Sequence, residues 1–348
     1  MRSVESVLMG SSNVAPIPDS APIHIFNGFQ NPHGGSELEA LSLFDLLRRQ
    51  SEVHLWATSS RASRELLKNY PIRRISPWVR EVPTSGVYVF IGVHWRNKLW
   101  PYLIAKPLRL IYIYNTFHPK IIALTARAPR ALSWPETEYV VISEFQKNLL
   151  ALRGDVQVHP SPIDISHFSP LLPLSRSHGA RIIIGRLSRD TEGKHHPDDI
   201  ALYQQLVQKG CDIRLQGATC IEPLLTKNPA ITVLAEGHFA AVDFLRRLDI
   251  FYYRCGTHVE TFGRVVFEAM ACAKVVVCHH HGGYAESIRH GENGFLFSTT
   301  AEAEAILTRL IADPELCARV GTAARATVER MYALSAVQDR LNFYRQTR

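Results

Sequence analysis

Short hydrophobic runs alternate with amphipathic stretches along the first half of the chain. Ile23-His24-Ile25-Phe26 predicts a buried strand, and Glu37 to Arg49 carries apolar residues at helical spacing. Further runs rich in β-branched and aromatic residues predict strands at Val53 to Ala57, Val87 to Gly92, Leu108 to Tyr114 and Tyr139 to Ser143. We therefore predict about six strands here, with helices between them.

The same alternation resumes after a segment rich in proline and serine. Ser161-Pro162-Ile163-Asp164 opens this segment, which continues past Pro173 and predicts a linker. Beyond it we predict strands at Arg181 to Gly185, Asp212 to Gln216, Ile231 to Leu234, Asp249 to Tyr253 and Lys274 to Cys278, and helices at Pro197 to Lys209, Ala240 to Arg247, after Glu260 and throughout the tail beyond Pro314. Alternating strands and helices are typical of parallel, doubly wound α/β sheets. We predict two such domains, residues 1–165 and 166–334.

Composition is consistent with two domains. A chain of 348 residues with 46% hydrophobic residues is longer than one core usually supports. No apolar run reaches the roughly 18 to 20 residues of a membrane span, and residues 1–21 are too polar for a signal peptide, so we expect a cytoplasmic protein. The six cysteines form no Cys-x-x-Cys pair, which argues against zinc ribbons and disulfide frameworks.

The net charge of +7 is concentrated in one segment. Thirteen lysines and arginines lie between Arg61 and Arg130, against only Glu65 and Glu81, with tryptophans and tyrosines interleaved. The segment forms either a solvated basic face or a surface for an anionic partner. No nucleic-acid-binding motif accompanies it, so among partners we favour the acidic inner face of a membrane, bound peripherally, and expect no nucleic acid.

The most informative motif is Glu260-Thr261-Phe262-Gly263-Arg264-Val265-Val266-Phe267-Glu268. A helix that begins near Phe262 and Gly263 directs free N–H groups at a site suited to phosphate. Glu268 then lies roughly 8 Å further along the axis than the helix start. Ionised carboxylates only accept hydrogen bonds, so Glu260 and Glu268 suit the hydroxyls at the two ends of a nucleotide sugar. The alternative is a helix cap and an ordinary helical glutamate.

Several loops at predicted strand ends carry further candidates. Gly34-Gly35 follows the first strand and allows a phosphate to approach the backbone; an ordinary turn is the alternative. His118 follows the strand that ends at Tyr114, and could be structural or catalytic. Arg186 and Lys194 follow the first strand of the second domain, where cations would neutralise a diphosphate. Gly282-Gly283 follows the strand that ends at Cys278, again where a ligand should lie. The run His279-His280-His281 has no spaced carboxylate to complete a metal site, and we expect no metal.

Together these elements resemble glycosyltransferase family 4, the retaining GT-B enzymes. The segments that carry the resemblance are GGSELEAL, SPIDISHFSP, GRLSRDTEGKHHPD, HVETFGRVVFEAMACAKVVV and GGYAESIRHGENGFLF. The resemblance implies an α/β GT-B fold, in which two Rossmann-like domains face each other across a cleft. It also implies a UDP- or GDP-sugar donor bound mainly by the second domain, an acceptor on the first, and a C-terminal helix, residues 335–348, that crosses back onto the first domain.

The resemblance assigns roles to individual residues. Glu260 would hold hydroxyls of the transferred sugar and Glu268 the ribose, while Arg186 and Lys194 would bind the diphosphate. His118 would lie beside the sugar. Further donor contacts would come from Gly34, Gly35, Gly217, Thr261, Phe262 and Gly263. Lys194 lies further beyond Arg186 than is usual in the family, so Arg189 could share its role.

The implied activity is retaining, metal-independent transfer of a hexose-type sugar without a cofactor, to a saccharide or lipid-linked acceptor. Such transfer belongs to polysaccharide, lipopolysaccharide or glycolipid assembly. Two alternatives remain: a sugar-nucleotide epimerase of the same fold, and a nucleotide-sugar-binding module without turnover. The family's Gly-x-Pro after the motif is Ala273-Lys274-Val275 here, which alters the turn but leaves both glutamates in place.

Overall fold

The first half of the chain forms a seven-stranded parallel sheet. The computed structural model describes residues 21–75, 81–92, 104–117, 133–152, 155–171 and 181–346. The strands are β1 (Ile23–Asn27), β2 (Val53–Ala57), β3 (Ile72–Arg74), β4 (Val87–Ile91), β5 (Arg109–Tyr114), β6 (Thr137–Val141) and β7 (Val156–Val158), in the order β3-β2-β1-β4-β5-β6-β7. The described helices are α1 (Gly35–Leu47), α2 (Arg64–Asn69) and α3 (Glu144–Leu149). Strands β1, β4 and β5 are buried along their whole length, as expected for central strands of a sheet covered on both faces.

The second half forms a six-stranded parallel sheet. Its strands are β8 (Ile183–Leu187), β9 (Asp212–Gln216), β10 (Ile231–Leu234), β11 (Ile250–Tyr253), β12 (Val275–His279) and β13 (Phe295–Phe297), in the order β10-β9-β8-β11-β12-β13. The helices that accompany them are α4 (Asp199–Gln208), α5 (Ala241–Arg246), α6 (Arg264–Ala271) and α7 (Thr300–Ala312). The prediction of two doubly wound parallel sheets is confirmed.

Two helices complete the described chain. Helix α8 (Pro314–Met331) packs against α6 and β12 of the second half. Helix α9 (Leu334–Arg345) contacts the first half, because Arg109 on β5 donates hydrogen bonds to the carbonyls of Phe343 (2.8 Å) and Gln346 (3.2 Å). His159, just after β7, also lies 3.0 Å from the hydroxyl of Tyr344.

The strand predictions fail only for the shortest strands. β3, β7 and β13 are three residues long, and the sequence patterns did not predict them. A three-residue strand shows too little alternation of polar and apolar positions to be recognised, so the first sheet has seven strands rather than about six. No helix within the described residues is long and apolar enough to cross a membrane.

The strand order locates the clefts. In the first sheet the order reverses between β1 and β4, and in the second it reverses between β8 and β11. Loops that leave neighbouring strands at such a point diverge to opposite faces of the sheet and leave a crevice at the carboxyl ends. A ligand site is therefore expected where the loops after β1, β8 and β11 lie.

Candidate functional site

Hydrogen bonds join the carboxyl ends of the two sheets. The Thr261 hydroxyl, in the loop after β11, donates to the carbonyl of Asn115 after β5 (2.9 Å). The Ser143 hydroxyl after β6 donates back to the Thr261 carbonyl (2.5 Å), and the Phe145 amide donates to Glu286 after β12 (3.2 Å). The loops that carry the predicted residues thus meet between the two halves of the chain.

Glu260 is the most strongly partnered group of the site. Its side chain is only 12% exposed and forms an ion pair with Lys194. The Tyr253 hydroxyl donates to the same carboxylate oxygen (2.6 Å), and His258 lies 3.8 Å from it. Burial by itself raises the pKa of Glu260, but the charge of Lys194 and the contact with His258 outweigh it and hold that pKa well below its usual range. Glu260 is therefore an ionised hydrogen-bond acceptor.

Lys194 reaches this carboxylate from the loop after β8. It ends a 3₁₀ turn, Glu192–Lys194, and its side chain is 8% exposed. The longer spacing from Arg186 noted in the sequence is taken up by this turn. Arg189 lies in the same loop and is exposed. Its neighbour Asp190 anchors the loop by accepting hydrogen bonds from Thr219 and the Cys220 amide.

Arg186 lies beneath the site. The residue is 1% exposed, and its guanidinium donates to the carbonyls of Arg254 and Lys194 while covering the Tyr253 ring at 4.7 Å. Arg186 therefore supports the backbone that presents Lys194. Contact between Arg186 and a diphosphate remains a prediction, and it would require these carbonyl bonds to rearrange.

The start of α6 contains the central part of the motif. Gly263 caps the helix at a φ of +84°, and a Cβ there would lie 2.5 Å from Tyr284 Cδ1. Phe262 is buried and stacks on Phe267, with ring centroids 4.3 Å apart. The left-handed glycine turns the chain so that Phe262 enters the core, and the Gly263 carbonyl accepts a hydrogen bond from the Val266 amide (2.9 Å) in the first turn of α6.

Glu268 lies one turn into α6 and is buried. Its carboxylate is 3.7 Å from Arg264 Nε, four residues earlier on the same helix. Burial raises the pKa of Glu268, and the charge of Arg264, followed by the influence of His167, opposes that rise. Glu260 and Glu268 therefore have different surroundings, because one pairs with Lys194 of the loop after β8 and the other with a residue of its own helix.

Among the glycines, Gly34 and Gly217 occupy tight positions. A Cβ on Gly34 would lie 2.3 Å from Glu37 Oε2, whose carboxylate also accepts the Gln30 amide (3.1 Å). Gly217 has a φ of +74°, and a Cβ there would lie 1.8 Å from the Ser188 carbonyl oxygen. Gly35, by contrast, opens α1 with free space around its Cα. His118 lies outside the described residues.

Several groups that shape the site were not predicted from the sequence. Tyr253 ends β11, and Arg254 and His258 lie in the loop between that strand and Glu260. Arg254 pairs with Asp199 at 3.2 Å. Their position at or just after the carboxyl end of a predicted strand could have identified them. Arg264 lies inside the motif itself, but the sequence pattern assigned it no role. Within the described ranges, no group of three or more His, Cys, Asp or Glu residues is arranged to hold a metal ion.

Part of the chain is similar in sequence to known proteins. Residues 225–327 match the family model "Glycosyl transferases group 1". The Staphylococcus aureus capsular polysaccharide biosynthesis glycosyltransferase CapM is 26% identical over 174 residues, 46% of this chain and 44% of CapM. The Bacillus anthracis N-acetyl-α-D-glucosaminyl L-malate synthase is 37% identical over 76 residues, 21% of this chain and 20% of that enzyme. The chain thus spans less than half the length of these curated relatives.

Solved structures match over nearly the whole chain. Anabaena HepE in complex with UDP-glucose superposes with a TM-score of 0.69 at 16% identity, covering 93% of this chain and 98% of HepE. WaaG, a glycosyltransferase involved in lipopolysaccharide biosynthesis, superposes with a TM-score of 0.63 at 12% identity, covering 92% and 99%. Likeness at this identity shows a shared architecture, so the two-domain GT-B fold predicted from the sequence is confirmed.

Proposed function

We propose that this protein is a retaining glycosyltransferase that moves a sugar from a nucleoside-diphosphate sugar to a saccharide or lipid-linked acceptor. The observation that carries the proposal is the ionised Glu260 paired with Lys194 at the junction of the two sheets. A hydroxyl-accepting carboxylate next to a cation and a helix N-terminus suits a ligand that combines a sugar with a phosphate. The match of residues 225–327 and the UDP-glucose complex of HepE support the same ligand class.

In the proposed reaction the bond between the anomeric carbon and the diphosphate oxygen breaks, and a bond to the acceptor oxygen forms on the same face. The acceptor's proton passes to an oxygen of the departing diphosphate, so no protein base is required. Negative charge develops on the leaving group. Lys194 and the N–H groups at the start of α6 would stabilise that charge as it forms. Glu260 would orient the sugar through its hydroxyls, and in this scheme no metal is needed.

The acceptor belongs to cell-surface polysaccharide, lipopolysaccharide or glycolipid assembly in this proposal. CapM, named for capsular polysaccharide biosynthesis, supports that assignment. Peripheral contact with a membrane would come from the basic segment between Arg61 and Arg130, much of which lies outside the described residues. We keep a cytoplasmic location as part of the proposal.

A donor panel combined with one substitution tests this function. We expect one of the UDP-, GDP- or ADP-sugars to raise the unfolding temperature, because a ligand that binds only the folded state stabilises it. Glu260→Gln should lower transfer by about a hundredfold or more while the protein stays folded. Glu292→Gln, at a side chain 65% exposed, is the matched control. No shift with any donor, or interconversion of the donor without acceptor, would contradict the proposal.

A further inference from the structure

Arg264 occupies a position that is unfavourable for a cation. It is the first residue of α6, where the helix dipole disfavours positive charge. Its side chain is 13% exposed and leaves the helix toward the linker, where Nη1 donates to the Pro162 carbonyl (2.7 Å) and approaches the Ser161 hydroxyl (3.4 Å). The carbonyl and hydroxyl oxygens offset the unfavourable end of the dipole. Arg264 thus joins α6 to the linker.

The same guanidinium lies near buried carboxylates from both halves of the protein, since Pro162, whose carbonyl accepts its hydrogen bond, lines a cavity together with Glu39. Glu268, on its own helix, lies 3.7 Å away. Glu39, on α1 of the first half, is 3% exposed and accepts a hydrogen bond from Asn115 (3.2 Å). The pKa of Glu39 is raised to about 7, because burial outweighs the opposing charge of Arg264 and the hydrogen bonding from Asn115 and Ser161. One cation therefore acts on two carboxylates that belong to different halves of the chain.

We propose that Arg264 is a positioning residue that couples the two halves of the protein, holding Glu268 on α6 and linking α6 through Ser161 to Glu39 on α1. The part of this inference that concerns the donor rests on the proposed function, in which Glu268 holds the ribose. A change in the relation between α1 and the linker would then move Glu268, so donor binding and the arrangement of the two halves depend on each other.

A second arginine, Arg325, also joins the linker to α6 and restricts their relative movement. Arg325 on α8 donates to the carbonyls of Ile165 and Phe168 in the linker and to that of Ala271 at the end of α6, at 2.7 to 2.8 Å. The linker is therefore held at both ends of α6, by Arg264 and by Arg325. A displacement of the linker is transmitted to the whole helix.

The groups around Glu39 determine how the coupling can be measured. A cavity beside Glu39 is also lined by His159, Tyr332, Arg340 and Tyr344. Burial and then the charge of Arg340 lower the pKa of His159 to about 4, so this imidazole stays neutral at higher pH. Burial raises the pKa of Tyr332 and of Tyr344, so both phenols stay protonated. Near neutral pH, Glu39 is the group of this cavity that titrates.

The first experiment needs no donor. Because the pKa of Glu39 is higher in the folded than in the unfolded protein, folding takes up a proton, and stability falls as pH rises from about 4.5 to about 7. Arg264→Met removes the opposing charge, so we expect the fall to continue to higher pH. Unfolding temperature is measured against pH for both proteins and repeated in a Glu39→Gln background.

The double-mutant comparison decides the outcome, since Arg264→Met also acts on Glu268. If Arg264 is coupled to Glu39, the additional pH dependence is smaller in the Glu39→Gln background. An equal effect of Arg264→Met in both backgrounds would overturn the coupling. Arg289→Met, at a side chain 64% exposed, controls for the loss of a surface arginine.

The second experiment measures donor use. Arg264→Met should raise the KM for the donor about three- to thirtyfold with little change in kcat, because Glu268 would hold the ribose in ground and transition state alike. Arg264→Lys should restore part of the loss, and Glu39→Gln should raise KM by a smaller factor. An unchanged KM in Arg264→Met would overturn the positioning role. If the wild type uses no nucleotide sugar, the proposed function fails, while the pH experiment still decides the coupling.

Discussion

At the scale of single residues, the site is organised around the pair Lys194 and Glu260. Two partly buried charges are stable together because each replaces water for the other, and removal of one leaves the other poorly solvated. The Tyr253 hydroxyl donates to Glu260, and the Arg186 guanidinium covers the Tyr253 ring while it donates to backbone carbonyls. The pair is therefore a preformed combination of one acceptor and one donor.

Substitution of the two candidate cations distinguishes their roles. Lys194→Met should weaken binding of the nucleoside diphosphate about tenfold or more, since a charge-assisted hydrogen bond is lost, and should leave binding of the nucleoside alone unchanged. Arg189→Met, at an exposed position, should have a much smaller effect. Lys209→Met is the control, because that lysine caps the end of α4, is 37% exposed and pairs with Glu304. Calorimetry with both ligands measures this, and a larger loss for Arg189→Met would assign the phosphate to Arg189.

At the scale of elements, the turn before α6 links the backbone to the site. Glu260 precedes the helix and Arg264 begins it, so the direction of both depends on the left-handed conformation of Gly263. Tyr284, from the loop after β12, fills the space where a Cβ would stand. The spacing of Glu260 and Glu268 therefore positions the two side chains only if residue 263 tolerates a left-handed φ and the close contact with Tyr284.

Two glycine substitutions test the turn. Gly263→Ala should reduce the free energy of unfolding by about 1 to 3 kcal/mol, because it combines an unfavourable φ with the contact to Tyr284. Gly35→Ala, at a helix start with free space, should be neutral or stabilise by about 0.4 to 1 kcal/mol. Urea unfolding of both variants gives the comparison, and equal stability of the two would contradict the role of the turn.

At the scale of the whole molecule, helix α9 connects the end of the chain to the first sheet. Arg109 on β5 pairs with Glu138 on β6 through two contacts of 2.7 Å, donates to two carbonyls at the end of α9 and covers the Phe343 ring at 5.1 Å. Since Arg109 is 4% exposed, each donor that loses its partner would be left without water.

Loss of the contact between Arg109 and the end of α9 should destabilise the first sheet and leave the second largely unchanged. Arg109→Met should cost about 2 to 3 kcal/mol and accelerate amide hydrogen exchange in β5 and β6, with little change in β8 and β11. Removal of residues 334–348 should have the same pattern. Arg48→Met, at a side chain 59% exposed on the same half, is the control. Equal acceleration in both sheets would show that α9 stabilises the molecule as a whole.

Elements that depend on neighbouring residues in the sequence were predicted, and elements that depend on contacts between distant residues were not. Strands such as Val53–Ala57, Asp212–Gln216 and Ile231–Leu234 were predicted to the residue, because five or so consecutive β-rich residues between turns are a local signal. The three-residue strands carry no such signal and exist only through their pairing with longer neighbours. The donor roles of individual residues remain predictions.

The sequence by itself determined the class of fold, the order of the elements and the loops where a ligand should bind, since periodicity and turn residues act over a few positions. Only the tertiary structure decided which charges meet. Lys194 and Glu260 are 66 residues apart along the chain and form one ion pair, and Arg186 points at carbonyls rather than solvent. The charge of Arg264 acts on both Glu268 and Glu39 because α1, the linker and α6 converge. Ion pairs and burial depend on distances through space, which the local pattern of residues does not contain.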